Sequence, residues 1–219
     1  MKATLTLCVG MLLAVVSAAA PQPTQPAAQE SSNRTSAREW DFNLVVDGYI
    51  LPQADGESYA SPVFSADRKW LHLETRYNYE DRQTGSFWLG YNFEKGKKLS
   101  VTFTPMIGGV FGNTTGVAPG YEFSLSYKKL SLSIDGEYVF DTRDTNGSFF
   151  YSWTELTYSP LDWFYFGFVA QRTKAYHTSL DIQRGFLVGF SVKNAEFTTY
   201  VFNAGWTDPT VVLEVGYKF

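Results

Sequence analysis

Cysteine is nearly absent from this chain: Cys8 is the one cysteine among 219 residues, and it lies in an apolar stretch near the N-terminus. Residues beyond that stretch hold no thiol, which excludes a disulfide framework and cysteine chemistry. Histidine is also scarce, since the sequence has only His72 and His177. We therefore predict no cofactor and no metal cluster. The remaining possibility is a carboxylate site for a hard cation.

Long apolar runs and a basic charge excess are missing as well. No run of about 20 apolar residues occurs beyond the N-terminus, which excludes a helical membrane protein. The formal net charge is −4. Without Lys2 it becomes 17 − 22 = −5, which argues against a nucleic-acid partner. Hydrophobic residues make up 44% of the chain, which argues against disorder.

The N-terminus has the layout of an export signal. Lys2 precedes an apolar stretch that ends in small residues, a pattern that predicts a signal peptide at 1–19, cleaved after Ala19. Residues 20–39 are rich in proline and polar side chains and contain no aromatic residue, so we expect a flexible periplasmic linker. The folded domain is then 40–219.

From Trp40 onward, apolar side chains recur at every second position, the period of a β-strand with one apolar face. This part of the chain holds all 6 Trp, 14 Tyr and 18 Phe. A water-soluble sandwich also alternates. However, the apolar face here has aromatics near the strand ends, and the polar face mixes charged residues with Gly and Ser. Both features favour a transmembrane barrel whose apolar face meets lipid.

The segments predict an all-β, antiparallel, up-and-down barrel of about twelve strands. The predicted strands are 41–51, 58–65, 69–79, 84–94, 99–110, 117–128, 130–140, 147–158, 163–172, 183–193, 195–203 and 211–219. Pro62 interrupts the second one, and the barrel has ten strands if the first two segments are not strands. Tight joints at Asp67-Arg68, Lys128-Lys129 and 159–161 alternate with longer ones, as expected for short periplasmic turns and longer outer loops.

The pattern resembles bacterial outer-membrane β-barrel proteins of the small porin-like or uncharacterised kind. The most specific part is the last strand, in which Val215, Tyr217 and Phe219 alternate with small or polar residues and phenylalanine ends the chain. In that family this ending is the signal read by the barrel-assembly machinery. The resemblance implies an outer-membrane location, and contact with membrane lipid and lipopolysaccharide. It leaves the oligomeric state open.

Alternation also predicts which residues face the lumen. The predicted pore-lining residues are Asp47, His72, Glu74, Arg76, Asn78, Glu94, Glu122, Lys128, Asp135, Glu137, Glu155, Glu196, Glu214 and Lys218. Nine acids then face four bases when Lys193 is counted, which favours passive passage of small polar or cationic solutes. The alternative is a structural or surface-interaction barrel whose lumen is closed by salt bridges.

A catalytic function is the weakest hypothesis, and no catalytic residue is predicted. His177 and Ser179 are two apart, which resembles the His-x-Ser element of outer-membrane phospholipases and lipid deacylases. Leu180-Asp181 stands where the phospholipases have Asn-Gly, so the match ends after Ser179. A lipid or peptide hydrolase at the barrel rim is therefore only the third hypothesis. His177 is otherwise an exposed loop residue, and His72 a lumen residue paired with a carboxylate.

Overall fold

The computed structural model describes residues 40–50, 58–175, 181–205 and 209–219. Within these ranges no helix is long and apolar enough to cross a membrane. The strand segments are β1 Asp41–Ile50, β2 Tyr59–Arg68, β3 Leu71–Tyr77, β4 Thr84–Tyr91, β5 Phe93–Lys95, β6 Leu99–Gly112, β7 Gly116–Tyr127, β8 Leu130–Asp141, β9 Phe149–Leu161, β10 Phe164–Ala175, β11 Asp181–Val192, β12 Ala195–Phe202 and β13 Thr210–Lys218. A 3₁₀ turn, Thr145–Gly147, precedes β9.

The sheet closes on itself. Neighbouring segments pair antiparallel in chain order, and β1 pairs with both β2 and β13. Segments β4 and β5 form one barrel strand, because both pair with β6 in one register, Gly90 opposite Met106 and Phe93 opposite Phe103. Pro105, which has no backbone N–H, lies on β6 between these two pairings. The barrel therefore has twelve strands, as the sequence predicts, and the ten-strand alternative is wrong.

Strand β2 shows how the barrel accommodates a proline. Pro62 lies opposite Val46 in the β1–β2 ladder. The ladder between β2 and β3 stops at Val63, so Pro62 has no partner on that side. A missing N–H is tolerated where a ladder has ended. The segment that the sequence marks as doubtful is thus a full strand, and it runs on to Arg68.

The two ends of the barrel differ, and we call them the turn end and the loop end. The first and last described residues, Trp40 and Phe219, lie at the turn end, with short connections such as Lys128–Lys129. The first residue of three two-residue turns, Lys69, Lys128 and Lys193, has a φ of 55–58°. The loop end carries longer connections such as 78–83 and 142–148.

Two predicted turns lie elsewhere. Asp67-Arg68 and 159–161 belong to β2 and β9, and the chain reverses two residues later in each case, at 69–70 and 162–163. Local polarity is a poor guide to the position of these turns. The Asp67 side chain, for example, takes part in a hydrogen-bond network within the barrel instead of in a turn.

The outer face of the barrel is apolar. Phe168 is 61% exposed, Phe186 59% and Leu89 49%, although all three lie in the middle of well-formed strands. Water does not tolerate a continuous belt of such side chains, whereas hydrocarbon does. The prediction that the apolar face of the strands points outward is confirmed.

Aromatic rings gather on this outer face near the turn end. Ring pairs in contact there are Trp40–Phe42, Phe42–Phe64, Trp70–Tyr91, Tyr91–Phe93, Tyr158–Phe166, Trp163–Phe164, Phe190–Phe197 and Tyr217–Phe219. We call this belt the turn-end girdle. Aromatic side chains favour the interface between headgroups and hydrocarbon, so the girdle marks one edge of the membrane-spanning band.

Candidate functional site: the lumen of the barrel

The inner face of the barrel is acidic. Cross-strand register places Asp47 directly opposite Glu214, and Glu122 opposite Asp135. The same face carries Glu74, Glu94, Glu137, Glu155, Glu196, His72 and Arg76. Alternation thus brings all nine predicted acids to one side of the wall, away from the apolar outer belt.

The predicted bases are distributed differently. Lys128 and Lys193 lie in turns, and Lys218 is exposed at the turn end of β13. Only Arg76 lies well inside the barrel, where it is 6% exposed. Asn78 is a loop residue: its amide nitrogen donates to the carbonyl oxygen of Ala60. Among the described wall residues, the excess of acids is therefore larger than the sequence count of nine against four.

Arg76 lies on the inner face of β3 with three acids around it. Its Nε donates to Glu74 Oε1, and its Nη1 donates to Glu137 Oε2 of β8 at 2.8 Å. Nη1 lies 4.0 Å from Glu80 Oε1. Glu74, Glu80 and Glu137 are all at most 8% exposed. The guanidinium therefore supplies one positive charge to three buried acids and offsets part of their mutual repulsion.

Aromatic rings sandwich this guanidinium. Its central carbon lies 4.5 Å from the ring centroid of Trp88 and 4.3 Å from that of Tyr79. Tyr79, from the 78–83 loop, also contacts Tyr151 of β9 edge to face, with centroids 5.6 Å apart. We name this run of contacts, Trp88, Arg76, Tyr79 and Tyr151, the Arg76 bridge. It connects the wall at β4 to the wall at β9 and narrows the loop-end half of the lumen.

Glycines make room for the bridge. A Cβ at Gly108 would lie 2.5–2.7 Å from the Trp88 ring atoms, and one at Gly120 would lie 2.9 Å from them. The indole therefore lies flat against the backbone of the next two strands. Trp88 Nε1 donates to Glu80 Oε1 and Ser86 Oγ at 3.1 and 2.9 Å, which fixes the ring.

A second packed layer lies at the loop end, on β9, β12 and β13. Trp153 contacts the rings of Tyr200 and Phe202 edge to face, at 5.2 and 5.3 Å. Tyr200 and Thr198 donate to the two carboxylate oxygens of Glu214, both at 3.0 Å. This layer, like the Arg76 bridge, occupies lumen space in the loop-end half.

The turn-end half of the lumen is lined by small side chains instead. Ser124 lies opposite Ser133, and Ser126 opposite Ser131. A cavity of about 170 Å³ opens on this wall; it is lined by Thr102, Thr104, Glu122, Phe123, Ser124, Ser133 and Asp135. The lumen therefore leads from a roomy polar half into a narrow aromatic half.

Comparison with known protein families and with curated proteins gives no match. Among solved structures, the KdgM porin is similar with a TM-score of 0.59 at 14% identity, over 81% of this chain and 99% of that chain. A structure described as KdgM porin in complex with disordered oligogalacturonate gives 0.60, also at 14% identity and over 81% and 99% of the two chains. The chain has the fold of a porin-type β-barrel. At this identity the likeness concerns the fold alone.

The barrel holds His72 in a defined hydrogen-bond network. His72 Nδ1 lies 2.9 Å from Asp67 Oδ1, which confirms that His72 pairs with a carboxylate. Asn92 Nδ2 donates to the same oxygen at 2.7 Å, and Thr104 Oγ1 donates to Asn92 Oδ1 at 2.6 Å. Asp67 is absent from the residues predicted to line the lumen because the sequence placed it in a turn. The two-residue alternation along β2, from Ser61 through Ser65, could have found it.

The remaining predicted residues divide into two groups. Val215, Tyr217 and Phe219 lie on the outer face, 43–68% exposed, and the Phe219 N–H donates to the Phe42 carbonyl oxygen at 3.0 Å where the barrel closes. The hydrolase hypothesis depends on His177 and Ser179. Both residues lie outside the described ranges.

Proposed function

We propose that this chain is an outer-membrane channel that passes small cationic or neutral polar solutes passively. The observation that carries the proposal is the charge of the inner wall: among the described residues, nine acids face one deeply placed arginine, Arg76. A lumen of one sign lowers the free energy of entry for the opposite ion.

The dimensions are compatible with passage of small molecules. Twelve strands spaced about 4.8 Å apart and tilted by about 40° give a backbone diameter of roughly 24 Å. Inward side chains reduce this unevenly. Serine and glycine leave space in the turn-end half, whereas the Arg76 bridge takes it up in the loop-end half. We therefore expect the bridge to set the conductance.

The proposed solute differs from that of the structural neighbour. One neighbour is described in complex with oligogalacturonate, which is a polyanion. An acidic wall would repel such a chain, since like charges cost free energy at short range. The charge of the lumen thus favours cations and neutral polar molecules over acidic oligosaccharides.

A closed structural barrel is the second candidate, and the Arg76 bridge is the observation that favours it. The ion pairs of Arg76 and the contact between Tyr79 and Tyr151 connect opposite walls. A lumen closed by these contacts would pass no solute.

Single-channel recording of the refolded barrel in a planar bilayer tests the proposal. We expect discrete current steps, and a reversal potential in a KCl gradient that shows preference for K⁺ over Cl⁻. Glu137→Gln and Glu122→Gln should each weaken that preference, whereas Glu57→Gln, in a predicted outer loop, serves as the control. An absence of steps in wild type and in Arg76→Ala would favour the closed barrel.

Export and assembly form part of the same proposal. The predicted signal peptide at 1–19, the apolar outer belt and the turn-end girdle support insertion in the bacterial outer membrane, in contact with lipid and lipopolysaccharide. We expect Phe219 to be read by the barrel-assembly machinery. Deleting it should lower the cellular yield of heat-modifiable barrel several-fold, while Lys218→Ala should not.

A further inference from the structure

A histidine and two glutamates meet on the inner wall beside the Arg76 bridge, which Glu74 contacts through Arg76. A ring nitrogen of His72 and one carboxylate oxygen from each of Glu74 and Glu122 all lie within 4.8 Å of one another. His72 and Glu74 come from β3, and Glu122 comes from β7. Imidazole nitrogen and carboxylate oxygen together are the ligands that divalent transition metals such as zinc use.

One ring nitrogen of His72 is buried without a partner. Nδ1 faces Asp67, and because a carboxylate can only accept, Nδ1 carries the proton. In the neutral ring Nε2 then has a free lone pair. Nε2 is buried and has no hydrogen-bond partner among the described residues. A buried polar atom costs free energy unless something binds it, so this nitrogen points to a missing ligand.

The ring is held in the orientation that metal ligands require. Asp67 accepts from both His72 and Asn92, and Asn92 is anchored in turn by Thr104. A Cβ at Gly90 would lie 3.2 Å from His72 Cδ2, so the imidazole packs closely against the β4 backbone. A carboxylate behind a ligating histidine fixes its tautomer and raises its basicity, as in many zinc sites.

We propose that His72, Glu74 and Glu122 bind one divalent transition-metal ion, with His72 Nε2 as the nitrogen ligand. Ligands of one tetrahedral zinc ion, each at about 2.0–2.1 Å, lie roughly 3.3 Å apart. The three atoms therefore have to approach one another by at most about 1.5 Å, which rotation of flexible glutamate side chains allows.

The surroundings leave a position on the ion open. Glu122 lines the 170 Å³ cavity of the turn-end half, so an ion bound to it is accessible from the lumen. Arg76 occupies Glu74 Oε1, which leaves Glu74 Oε2 for the metal. Asp135, directly opposite Glu122, adds a further negative charge. Three protein ligands with room for water distinguish this site from a closed structural zinc site.

Metal binding can be measured on the folded barrel in detergent micelles. We would remove metal with a chelator and titrate zinc by calorimetry, then repeat with Co²⁺ and follow its visible absorption. The expected result is one Zn²⁺ per chain, with Mg²⁺ and Ca²⁺ binding far more weakly because imidazole suits borderline metals. His72→Ala and Glu122→Gln should weaken zinc binding at least 100-fold.

Asp67 acts as a positioning residue in this proposal. Asp67→Asn should weaken zinc binding about 10–100-fold, the usual effect of losing an outer partner of a ligating histidine. Asp67→Glu should restore part of the affinity, which a merely structural role for the residue would not predict. His177→Ala and Glu94→Gln are matched controls, a histidine and a lumen-facing acid outside the cluster, and should leave zinc binding unchanged.

The proposal is overturned by an absence of saturable 1:1 zinc binding, by unchanged affinity in folded His72→Ala, or by loss of binding in His177→Ala. Heat-modifiable migration on gels shows which variants are folded, and His72→Gln replaces His72→Ala if the latter does not fold. If His72 only forms hydrogen bonds with the neighbouring acids and binds no metal, the titration shows no saturable 1:1 zinc binding. Because binding is measured at equilibrium in micelles, it is independent of whether the lumen conducts.

Discussion

The two halves of the lumen are lined by different kinds of side chain, although the same strands form both. The loop-end half is crowded: aromatic rings lie over glycines, and one guanidinium joins acids from distant parts of the chain. The turn-end half is lined by facing pairs of serines and holds a polar cavity. We infer that the loop-end half determines the rigidity and width of the lumen, and that the turn-end half contributes most to its selectivity between solutes.

Removing the guanidinium should have the largest effect. Arg76→Met leaves Glu74, Glu80 and Glu137 buried without their cation, and breaking such a cluster costs about 3–5 kcal/mol of unfolding free energy. Urea unfolding in lipid vesicles, followed by tryptophan fluorescence, measures the loss. Single-channel current should rise at the same time, since the bridge no longer narrows the lumen.

Two further variants sharpen this prediction. Lys128→Met removes a cation from a turn and should change the unfolding free energy by less than about 0.5 kcal/mol. Adding Glu137→Gln to Arg76→Met should recover part of the loss, because one buried charge no longer lacks a partner. If Arg76→Met unfolds at the wild-type urea concentration, the bridge is not what stabilises this half.

A smaller effect is expected where the indole of Trp88 lies on glycine. In Gly108→Ala the new Cβ would lie 2.5 Å from the ring, so the ring or the strand must move, at a cost of about 1–3 kcal/mol. Urea unfolding again gives the free energy, and a change in Trp88 fluorescence would report the displacement of the ring.

The neighbouring glycine is a natural control. A Cβ at Gly109 meets nothing within 4 Å, so Gly109→Ala should be close to neutral. Equal destabilisation by the two alanines would mean that the strand simply needs glycine there, and that the flat packing of Trp88 contributes little.

The fold could be predicted from the sequence because lipid imposes a simple rule on every strand. Alternation found all twelve strands, and it assigned Glu122 and Asp135 to the same face without any knowledge of their pairing. Errors concerned the ends of strands, as at Asp67, where a polar residue was taken for a turn although its side chain is engaged within the barrel. Local polarity does not show whether an acid faces solvent or a histidine.

The candidate sites were harder to predict because they depend on contacts between distant residues. Arg76 and Glu137 are 61 positions apart, and nothing in either segment indicates that the two meet. His72 and Glu74 share a face by alternation, but Glu122 approaches them only because of how the barrel closes. Side-chain reach across the lumen depends on barrel shape, which periodicity does not specify.

The smallest effect on stability, and a clear effect on selectivity, is expected in the turn-end half. Ser124 is exposed to the lumen beside Glu122, so Ser124→Lys introduces a cation without disturbing packing. The unfolding free energy should change by less than about 0.5 kcal/mol. The preference for K⁺ over Cl⁻ should fall, because the new charge opposes the negative charge of the neighbouring lumen acids. Ser124→Gln adds similar bulk without charge and separates size from electrostatics. If Ser124→Gln reduces the K⁺ preference as much as Ser124→Lys does, selectivity arises from the width of the lumen. The inference that the two halves of the lumen have different roles would then be wrong.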